Sequence, residues 1–322
     1  MPLEIRMIRD DEFLTYKEAL TRGFGNVYRP EESHQYLKTF EFDRSIGVFD
    51  GNDIVGTAGA FTKIMTLPGG TQIPTAAITD VTVQPTHRRR GILTKMIDHQ
   101  LKDIRDRGES LAALWASEGI IYGRFGYGVG FECEHWTISR EMNAYYSSVS
   151  SSGSVTFATP DLLRQIAPEI WERVRKVRPG MMSRSENRWD SWIRDPEHAR
   201  RGATARLSVL YQQLGQVEGY ATYKISQYAT PPSEPRGKLI IDEMVAATNN
   251  AHAALWRFCL DVDLIDNVES WNRPPDDPLK WRLANPRELR RIRRDALWIR
   301  VIDVTHALEA RRYNSSGQIV FQ

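Results

Sequence analysis

The sequence contains 322 residues, of which 41% are hydrophobic and 26% charged, with a formal net charge of +2. This length predicts two domains and part of a third at about 150 residues per domain, and the weak net charge does not favour nucleic-acid binding. No N-terminal segment has the pattern of a signal peptide, no run approaches the ~20 apolar residues of a membrane span, and Cys133 and Cys259 cannot form a disulfide framework. We therefore expect a cytoplasmic protein with neither a membrane nor a nucleic-acid partner.

The first half of the chain predicts an antiparallel meander followed by a strand-helix-strand crossover. Asp50-Gly51 is a hairpin signal, and the apolar residues of the later helix recur on one face. The predicted strands cover residues 3–8, 45–49, 54–63, 73–83 and 111–116, and the predicted helices cover 11–23, 30–40 and 91–107. This order predicts an α/β fold with a mixed sheet.

A second domain of the same architecture is predicted after the serine-rich segment 145–154. It would comprise helices over 161–175 and 188–194, strands over 219–227 and 238–247 around a hairpin tip, and a further helix from Asn249. "RELRRIRR" at 287–294 predicts a solvated helix face or an interface patch. A third element, with a strand, a helix and a strand, begins at Ala296. The predicted domains are therefore 1–146, 147–294 and 295–322.

The turn from Gln84 to Gly91 places three consecutive arginines between a strand and a helix. A helix N-terminus offers unpaired N–H groups to anions, arginine adds charge-assisted hydrogen bonds, and glycine allows close approach of a ligand. This arrangement predicts a phosphate cradle, although a solvated basic turn has the same composition. It is neither a P-loop nor a dinucleotide fingerprint, because GxxxxGK(S/T) and GxGxxG are both absent.

The stretch "WASEGIIYGRFGYGVG" at 115–130 follows a predicted strand and contains four glycines within eight residues, Gly123, Gly126, Gly128 and Gly130. Such a stretch is typical of a ligand-approaching loop, but also of a turn whose aromatic residues pack in the core. Together with V-x-V-x-P-x-x-R-R-R-G-(I/L) at 81–92, it resembles the enhanced-intracellular-survival (Eis) branch of the GNAT acyltransferases. Leu93 departs from the usual GNAT motif (R/Q)-x-x-G-x-(G/A) but agrees with that branch.

This resemblance implies two tandem GNAT-like domains, the second without cofactor, followed by a sterol-carrier-protein-like domain. It also implies a homohexamer that transfers an acetyl group from acetyl-CoA to small-molecule amines, including aminoglycoside-like and polyamine or lysine-type acceptors. In that family the C-terminal carboxylate can take part in deprotonating the amine. We therefore expect the chain to continue beyond Gln322, which falls inside an apolar run, or residues 296–322 to pair with further protein.

The same resemblance assigns roles to individual residues. Val81 and Val83 would present backbone groups to the pantetheine arm, and Ser117 would also contact the cofactor. The phosphates would be held by four residues of the turn, Arg88, Arg89, Gly91 and Ile92. Phe24 would line the substrate pocket, where Asn26 replaces an acidic residue of relatives; Trp115 likewise replaces a histidine.

Tyr122 would be the general acid, because a departing thiolate benefits from a proton delivered by a nearby hydroxyl group. A core tyrosine is the alternative role for this residue. The seven histidines show no metal-ligand spacing, so we predict no metal site, and His87 is expected to be a turn residue rather than a base. GxSxG is absent, which disfavours a serine hydrolase. Two functions remain open, an N-acetyltransferase and a non-catalytic acyl-CoA-binding or assembly module.

Overall fold

The computed structural model describes residues 3–147, 153–227, 237–318 and 320. Their strands are β1 (Glu4–Met7), β2 (Ile46–Asp50), β3 (Asp53–Thr66), β4 (Gln72–Val83), β5 (Leu111–Trp115), β6 (Gly128–Ser139), β7 (Ser154–Phe157), β8 (Leu207–Gln213), β9 (Gln216–Gln227), β10 (Gly237–Ala246), β11 (Asn267–Arg273) and β12 (Arg290–Val301). The helices are α1 (Phe13–Gly23), α2 (Pro30–Leu37), α3 (Ile92–Asp106), α4 (Gly119–Tyr122), α5 (Pro160–Arg175), α6 (Glu186–Ile193), α7 (Asn249–Asp261), α8 (Leu279–Arg282) and α9 (Val304–Glu309).

The first of two compact units comprises Met1–Gly130, Lys176–Ser191 and Leu297–Gln322. Its strand order is β1-β2-β3-β4-β5, followed by the second half of β12. β4 and β5 are parallel and are connected by α3, whereas the remaining neighbours are antiparallel. The predicted mixed sheet is therefore confirmed, and so is the strand-helix-strand crossover.

Helix α3 forms where the apolar periodicity predicted it. Ile92, Met96, Ile97, Leu101 and Ile104 are buried on one face, and Gly108 adopts a positive φ of 71° just beyond the helix. Burial of such aliphatic side chains contributes roughly 1.5–3 kcal/mol each. The helix is therefore fixed against the sheet by its buried face, and its N-terminus lies at the end of β4.

The second unit comprises Phe131–Arg175 and Trp192–Ala296. Its strand order begins with the first half of β12 and continues β6-β11-β10-β9-β8-β7. β10 and β11 are parallel and are connected by α7, which repeats the crossover of the first unit. Trp136, Trp256 and Leu255 are almost completely buried in its core.

The two units differ from the predicted domain ranges. Residues 131–146 belong to the second unit, and residues 176–191 and 297–322 belong to the first. The strand predicted from Ala296 is the second half of β12, which pairs with β5 from Leu297 to Val301. Through this pairing, residues 297–322 are grouped with the first unit.

The segment "RELRRIRR" is not a helix, which corrects the predicted helix face. Residues 290–294 begin β12, while 286–288 form a single 3-10 turn. Arg291 and Arg293 form ion pairs with Glu134, and Arg293 also pairs with Glu132. These glutamates of β6 compensate the positive charge of the neighbouring strand, so the basic segment 290–294 is stable in an extended β conformation.

Parts of three predicted segments lie outside the described residues. They are the serine-rich segment (148–152), the hairpin tip between β9 and β10 (228–236), and the apolar C-terminal run (319 and 321–322). Within the described ranges, each helix is too short or too polar to cross a lipid bilayer.

Candidate active site

Strands β4 and β5 separate from each other towards their C-terminal ends. Their registered pairing covers only Thr75–Ala77 with Leu111–Ala113, although β4 continues to Val83 and β5 to Trp115. Backbone groups of the two strands that no longer pair with each other can then pair with a ligand. The sheet thus has a gap at the strand ends, which is the usual position of ligands in open α/β sheets.

A β-bulge in β4 lies beside this gap. Thr79 pairs with Gly59 and Thr82 with Thr57, so β4 contains one residue more than β3 between these pairs. Asp80, in the bulge, has a left-handed φ of 58°, and its carbonyl oxygen accepts a hydrogen bond from Thr57 Oγ1 at 2.7 Å. Asparagine and aspartate tolerate this conformation better than most residues. The bulge is therefore a fixed feature that changes the direction of the backbone groups around Asp80 and Val81.

The basic turn has a conformation that requires glycine at its end. Arg89 has a φ of 64°, and Gly91, at the N-cap position of α3, has a φ of 75°. No side chain caps α3, and a Cβ at Gly91 would meet no atom within 4 Å. The N-terminus of α3 therefore has no side-chain cap and borders open space at Gly91, and a helix N-terminus carries the partial positive charge that an anion site requires.

A cavity of about 600 Å³ lies between the end of β4, the start of α3 and the segment after β5. We call it the donor cavity. It brings together all the predicted cofactor residues and the predicted acid, namely Val81, Val83, Arg88, Arg89, Gly91, Ile92, Ser117 and Tyr122. Among the described residues that line it, the turn contributes Arg88 and Arg89 but not Arg90.

A second cavity of about 400 Å³, which we call the acceptor cavity, adjoins the donor cavity. Four residues line both cavities: Phe24, Val81, Ser117 and Tyr122. The rest of the acceptor cavity is formed mainly by β4, β5 and the apolar side chains Phe61, Trp115 and Leu297. The shared wall is the place where a molecule in one cavity would meet a molecule in the other.

Tyr122 lies at the end of the short helix α4 and is 5% exposed. Its ring packs edge-on against Tyr127, with 5.9 Å between the ring centroids, and burial raises the pKa of the Tyr122 hydroxyl. Phe125 and Tyr127 belong to the apolar core, so part of the glycine-rich stretch packs as an ordinary turn. Tyr122 combines a core ring with a position in both cavity walls, and its raised pKa keeps it protonated at neutral pH.

The structure separates the two predicted substrate residues. Phe24 is 49% exposed and lines both cavities, whereas Asn26 is exposed and absent from the described lining of either. Trp115 lines the acceptor cavity with 59% of its surface exposed.

Asp80 is a site residue that the sequence analysis missed. Tyr36 donates a short hydrogen bond to Asp80 Oδ2, Tyr16 donates to the same atom at 3.4 Å, and Thr79 Oγ1 donates to Oδ1 at 3.1 Å. Desolvation raises the pKa of Asp80, although these hydrogen bonds and Lys17 oppose the effect. One signal in the sequence could have identified it: Asp80 is the single acidic residue in the largely β-branched run 78–83. A charge in such a buried strand is costly unless it has a partner.

The part of the chain that the structure describes contains no cluster of three or more histidine, cysteine, aspartate or glutamate side chains that could hold a metal ion.

Comparison with known proteins identifies the fold of both halves. Residues 4–130 match the family model of an acetyltransferase (GNAT) domain, and residues 180–301 match a second acetyltransferase (GNAT) domain model. The chain is 38% identical over 327 residues to an uncharacterized N-acetyltransferase of Streptomyces avermitilis, covering all of this chain and 79% of that protein.

Two further relatives belong to one branch of this class. The N-acetyltransferase Eis of Mycobacterium tuberculosis is 32% identical over 300 residues, which cover 90% of this chain and 72% of Eis. The crystal structure of Eis1 from Mycobacterium abscessus superposes with a TM-score of 0.81 at 31% identity, covering 97% of this chain and 77% of Eis1. The chain therefore belongs to the Eis-type GNAT N-acetyltransferases, and it contains two tandem GNAT domains.

Proposed function

We propose that this acetyltransferase transfers the acetyl group of acetyl-CoA to the nitrogen of a small-molecule primary amine. By resemblance, the acceptors are aminoglycoside-like, polyamine or lysine-type amines. The observation that carries the proposal is the shared wall at Tyr122, which joins a cavity suited to phosphates with a second, mainly apolar cavity. Two reactants held on either side of one proton donor are in the arrangement that acyl transfer requires.

The charge of the donor cavity and the strand edge that borders it both suit acetyl-CoA. Arg88, Arg89 and the first turn of α3 would hold the pyrophosphate, because charge-assisted hydrogen bonds and the helix N-terminus both favour anions. The unpaired edge of β4 at Val81 and Val83 would pair with the amide groups of the pantetheine arm, and Ser117 would contact the arm from the other side. Bound there, acetyl-CoA supplies an activated acetyl group as a thioester.

The residues around the shared wall then have distinct tasks. A primary amine with a pKa of ~10.4 is mostly protonated at neutral pH, so the site must first hold the ammonium and pass one proton to a carboxylate, a backbone carbonyl or a water chain. The neutral nitrogen would then attack the carbonyl carbon of the thioester, forming the amide bond as the carbon–sulfur bond breaks. A backbone N–H group at the bulge would stabilise the negative charge that develops on the carbonyl oxygen. The Tyr122 hydroxyl would deliver a proton to the departing sulfur, which its raised pKa permits because it remains a neutral phenol.

Turnover of acetyl-CoA with a panel of primary amines, followed by detection of the free thiol, tests this function. We expect amine-dependent thiol release with one acetyl group transferred per thiol. Binding of acetyl-CoA without thiol release from any amine would instead support a non-catalytic acyl-CoA-binding module.

The resemblance also supports a homohexamer in the cytoplasm and a sterol-carrier-like domain beyond the two GNAT domains. Light scattering on the protein would test the assembly, since a monomeric mass would contradict it.

A further inference from the structure

The acceptor cavity has one charged group in an apolar wall. Of the described residues that line it, Asp80 is the single carboxylic acid, and the neighbours include the aromatic side chains of Phe24, Phe61 and Trp115. A carboxylate in such a wall strongly favours a cation, because a buried charge is costly unless it is paired. Aromatic faces add a further attraction for an ammonium group.

The described hydrogen bonds to the Asp80 carboxylate all come from hydroxyl groups, those of Tyr36, Tyr16 and Thr79. Hydroxyl groups orient the carboxylate but leave its charge uncompensated. Lys17 lies near enough to favour the ionised form, but its ammonium group stacks on the Tyr36 ring, 3.6 Å from the centroid. The carboxylate is therefore held in place by hydroxyl groups, and its charge is offset by Lys17 only through space rather than by a direct ion pair.

The second unit contains a control for this interpretation. Its strand β10 has a corresponding bulge, with Asp242 as the extra residue between the pairs Ile241–Tyr223 and Glu243–Thr222. Arg206 Nε lies 3.4 Å from Asp242 Oδ2, and Lys224 Nζ lies 3.2 Å from Oδ1. The bulge aspartate of the second unit is thus held in direct ion pairs, whereas Asp80 of the first unit is bound by hydroxyl groups and interacts with Lys17 only through space.

We propose that Asp80 binds the ammonium group of the acceptor and thereby selects amines that carry one positive charge on an apolar stem. The assignment rests on the proposed function and makes it more specific, favouring lysine-type or arylalkyl amines over polycations. Asp80 adjoins Val81 of the shared wall, so an ammonium bound to it lies next to the position where the acetyl group would be transferred.

The charges around the cavity explain the preference for a single ammonium group. Asp80 can compensate one positive charge, and Lys17 already lies close to it. Lys63, which follows the lining residue Phe61 on the same strand, has a pKa lowered by burial and by Arg184 and Arg188, although Glu41 opposes this effect. A second ammonium group on the acceptor would therefore meet either an apolar wall or these cations, which is unfavourable.

Asp80→Asn tests the proposal, because asparagine keeps the shape and tolerates the left-handed backbone while removing the charge. The full chain would be assayed with 2-phenylethylamine, which is charged at neutral pH, and with aniline, which is not. We expect kcat/KM for 2-phenylethylamine to fall roughly 10- to 100-fold, mainly through KM. The KM for acetyl-CoA and the rate with aniline, relative to wild type, should remain unchanged.

Asp242→Asn is the matched control and should leave the kinetics with both amines unchanged. If Asp80→Asn lowered kcat/KM equally for 2-phenylethylamine and for aniline, the proposal would be overturned. An equal decrease would show that the substitution changed the shape of the cavity, because a lost charge would affect only the charged amine. Wild-type kcat/KM for spermidine equal to or above that for 2-phenylethylamine would overturn the selection of a single charge.

The failure of the proposed function would be distinguishable from the failure of this proposal. If wild type binds acetyl-CoA but releases no thiol with any amine, calorimetry with 2-phenylethylamine in the presence of CoA decides the role of Asp80. The ammonium site would be supported if 2-phenylethylamine bound more weakly to Asp80→Asn than to both wild type and Asp242→Asn. Equal affinity of the amine for all three proteins would overturn it.

Discussion

The two units contain the same crossover, but the helix that follows the central strand begins differently in each. In the first unit, α3 begins at Gly91 with no side-chain cap, and its first turn faces the donor cavity. In the second, Thr248 caps α7 by accepting a hydrogen bond from the Ala251 N–H at 3.2 Å, and its hydroxyl group donates to Glu218 at 2.8 Å. One helix N-terminus is open to an anion, and the other is satisfied within the chain.

The bulge aspartates follow the same division. Asp80 is bound by hydroxyl groups, whereas Asp242 is bound by Arg206 and Lys224. A shared fold therefore does not determine function, which depends on whether local polar groups are left for a ligand or are satisfied by the protein. This contrast predicts that changes in the first unit alter kinetics, while equivalent changes in the second alter only stability.

The largest effect is expected for Tyr122→Phe. Loss of the hydroxyl group removes the proton donor, so kcat should fall by ~10²–10⁴ while acetyl-CoA affinity stays nearly intact. Steady-state kinetics with an amine acceptor, together with calorimetry for acetyl-CoA, would measure both quantities. Tyr127→Phe is the control, because it alters the packing partner of Tyr122; an equal loss of kcat in both variants would make Tyr122 a packing residue.

A smaller effect is expected when Arg88 and Arg89 are both changed to alanine. Each charge-assisted hydrogen bond contributes about 1.5–3 kcal/mol, so the KM for acetyl-CoA should rise at least ~10-fold. Both arginines are exposed, and the melting temperature should therefore stay close to that of wild type. Arg90→Ala, in the same turn, should leave the KM for acetyl-CoA unchanged, and an unaltered KM in the double variant would identify a merely solvated turn.

Gly91→Ala and Thr248→Ala compare the two helix starts directly. The first forces alanine into a left-handed conformation, and the second removes a cap, so each should lower the free energy of unfolding by about 1 kcal/mol. Only Gly91→Ala should also raise the KM for acetyl-CoA, because only that helix start lines the donor cavity. Chemical denaturation and donor kinetics on both variants would show whether the two helix starts are functionally distinct.

The smallest effect is expected in how the free energy of unfolding depends on pH when Asp80 is replaced. Because burial raises its pKa, folded protein binds this proton more tightly than unfolded chain does. The resulting contribution to stability is present at low pH and is lost as pH rises through the folded-state pKa. Asp80→Asn should consequently melt at or above the wild-type temperature near neutral pH, with a difference that shrinks towards the ordinary aspartate pKa of about 3.9.

Thermal unfolding of wild type and Asp80→Asn across this pH range would measure the difference. A lower melting temperature for the variant near neutral pH would show that the charged carboxylate stabilises the fold, contrary to this prediction.

Local patterns predicted the first unit well, because its elements have strong periodicity. The helix predicted over 91–107 is observed as Ile92–Asp106, and the turn with three arginines lies between a strand and a helix as expected. The residues expected to bind acetyl-CoA all line the donor cavity. They lie together because the arginine-rich motif follows directly after the end of β4, where the fold leaves the cavity.

Other features depend on partners that are distant in sequence. The basic segment 290–294 predicts a helix by itself, but the glutamates of β6 pair with it in an extended conformation. Asp80 resembles a solvent-facing strand residue until the register of β3 and β4 reveals the bulge and the hydroxyl groups of Tyr16 and Tyr36. The sequence patterns therefore did not reveal strand register or the compensation of charges between residues distant in sequence.

The shared wall of the two cavities has a thermodynamic consequence. Phe24, Val81, Ser117 and Tyr122 each contact both spaces, so any adjustment of these side chains to one bound molecule changes the surface offered to the other. The two binding equilibria are then linked, and linkage is reciprocal. Whatever factor acetyl-CoA introduces into the Kd of the proposed amine acceptor, the acceptor must introduce the same factor into the Kd of acetyl-CoA.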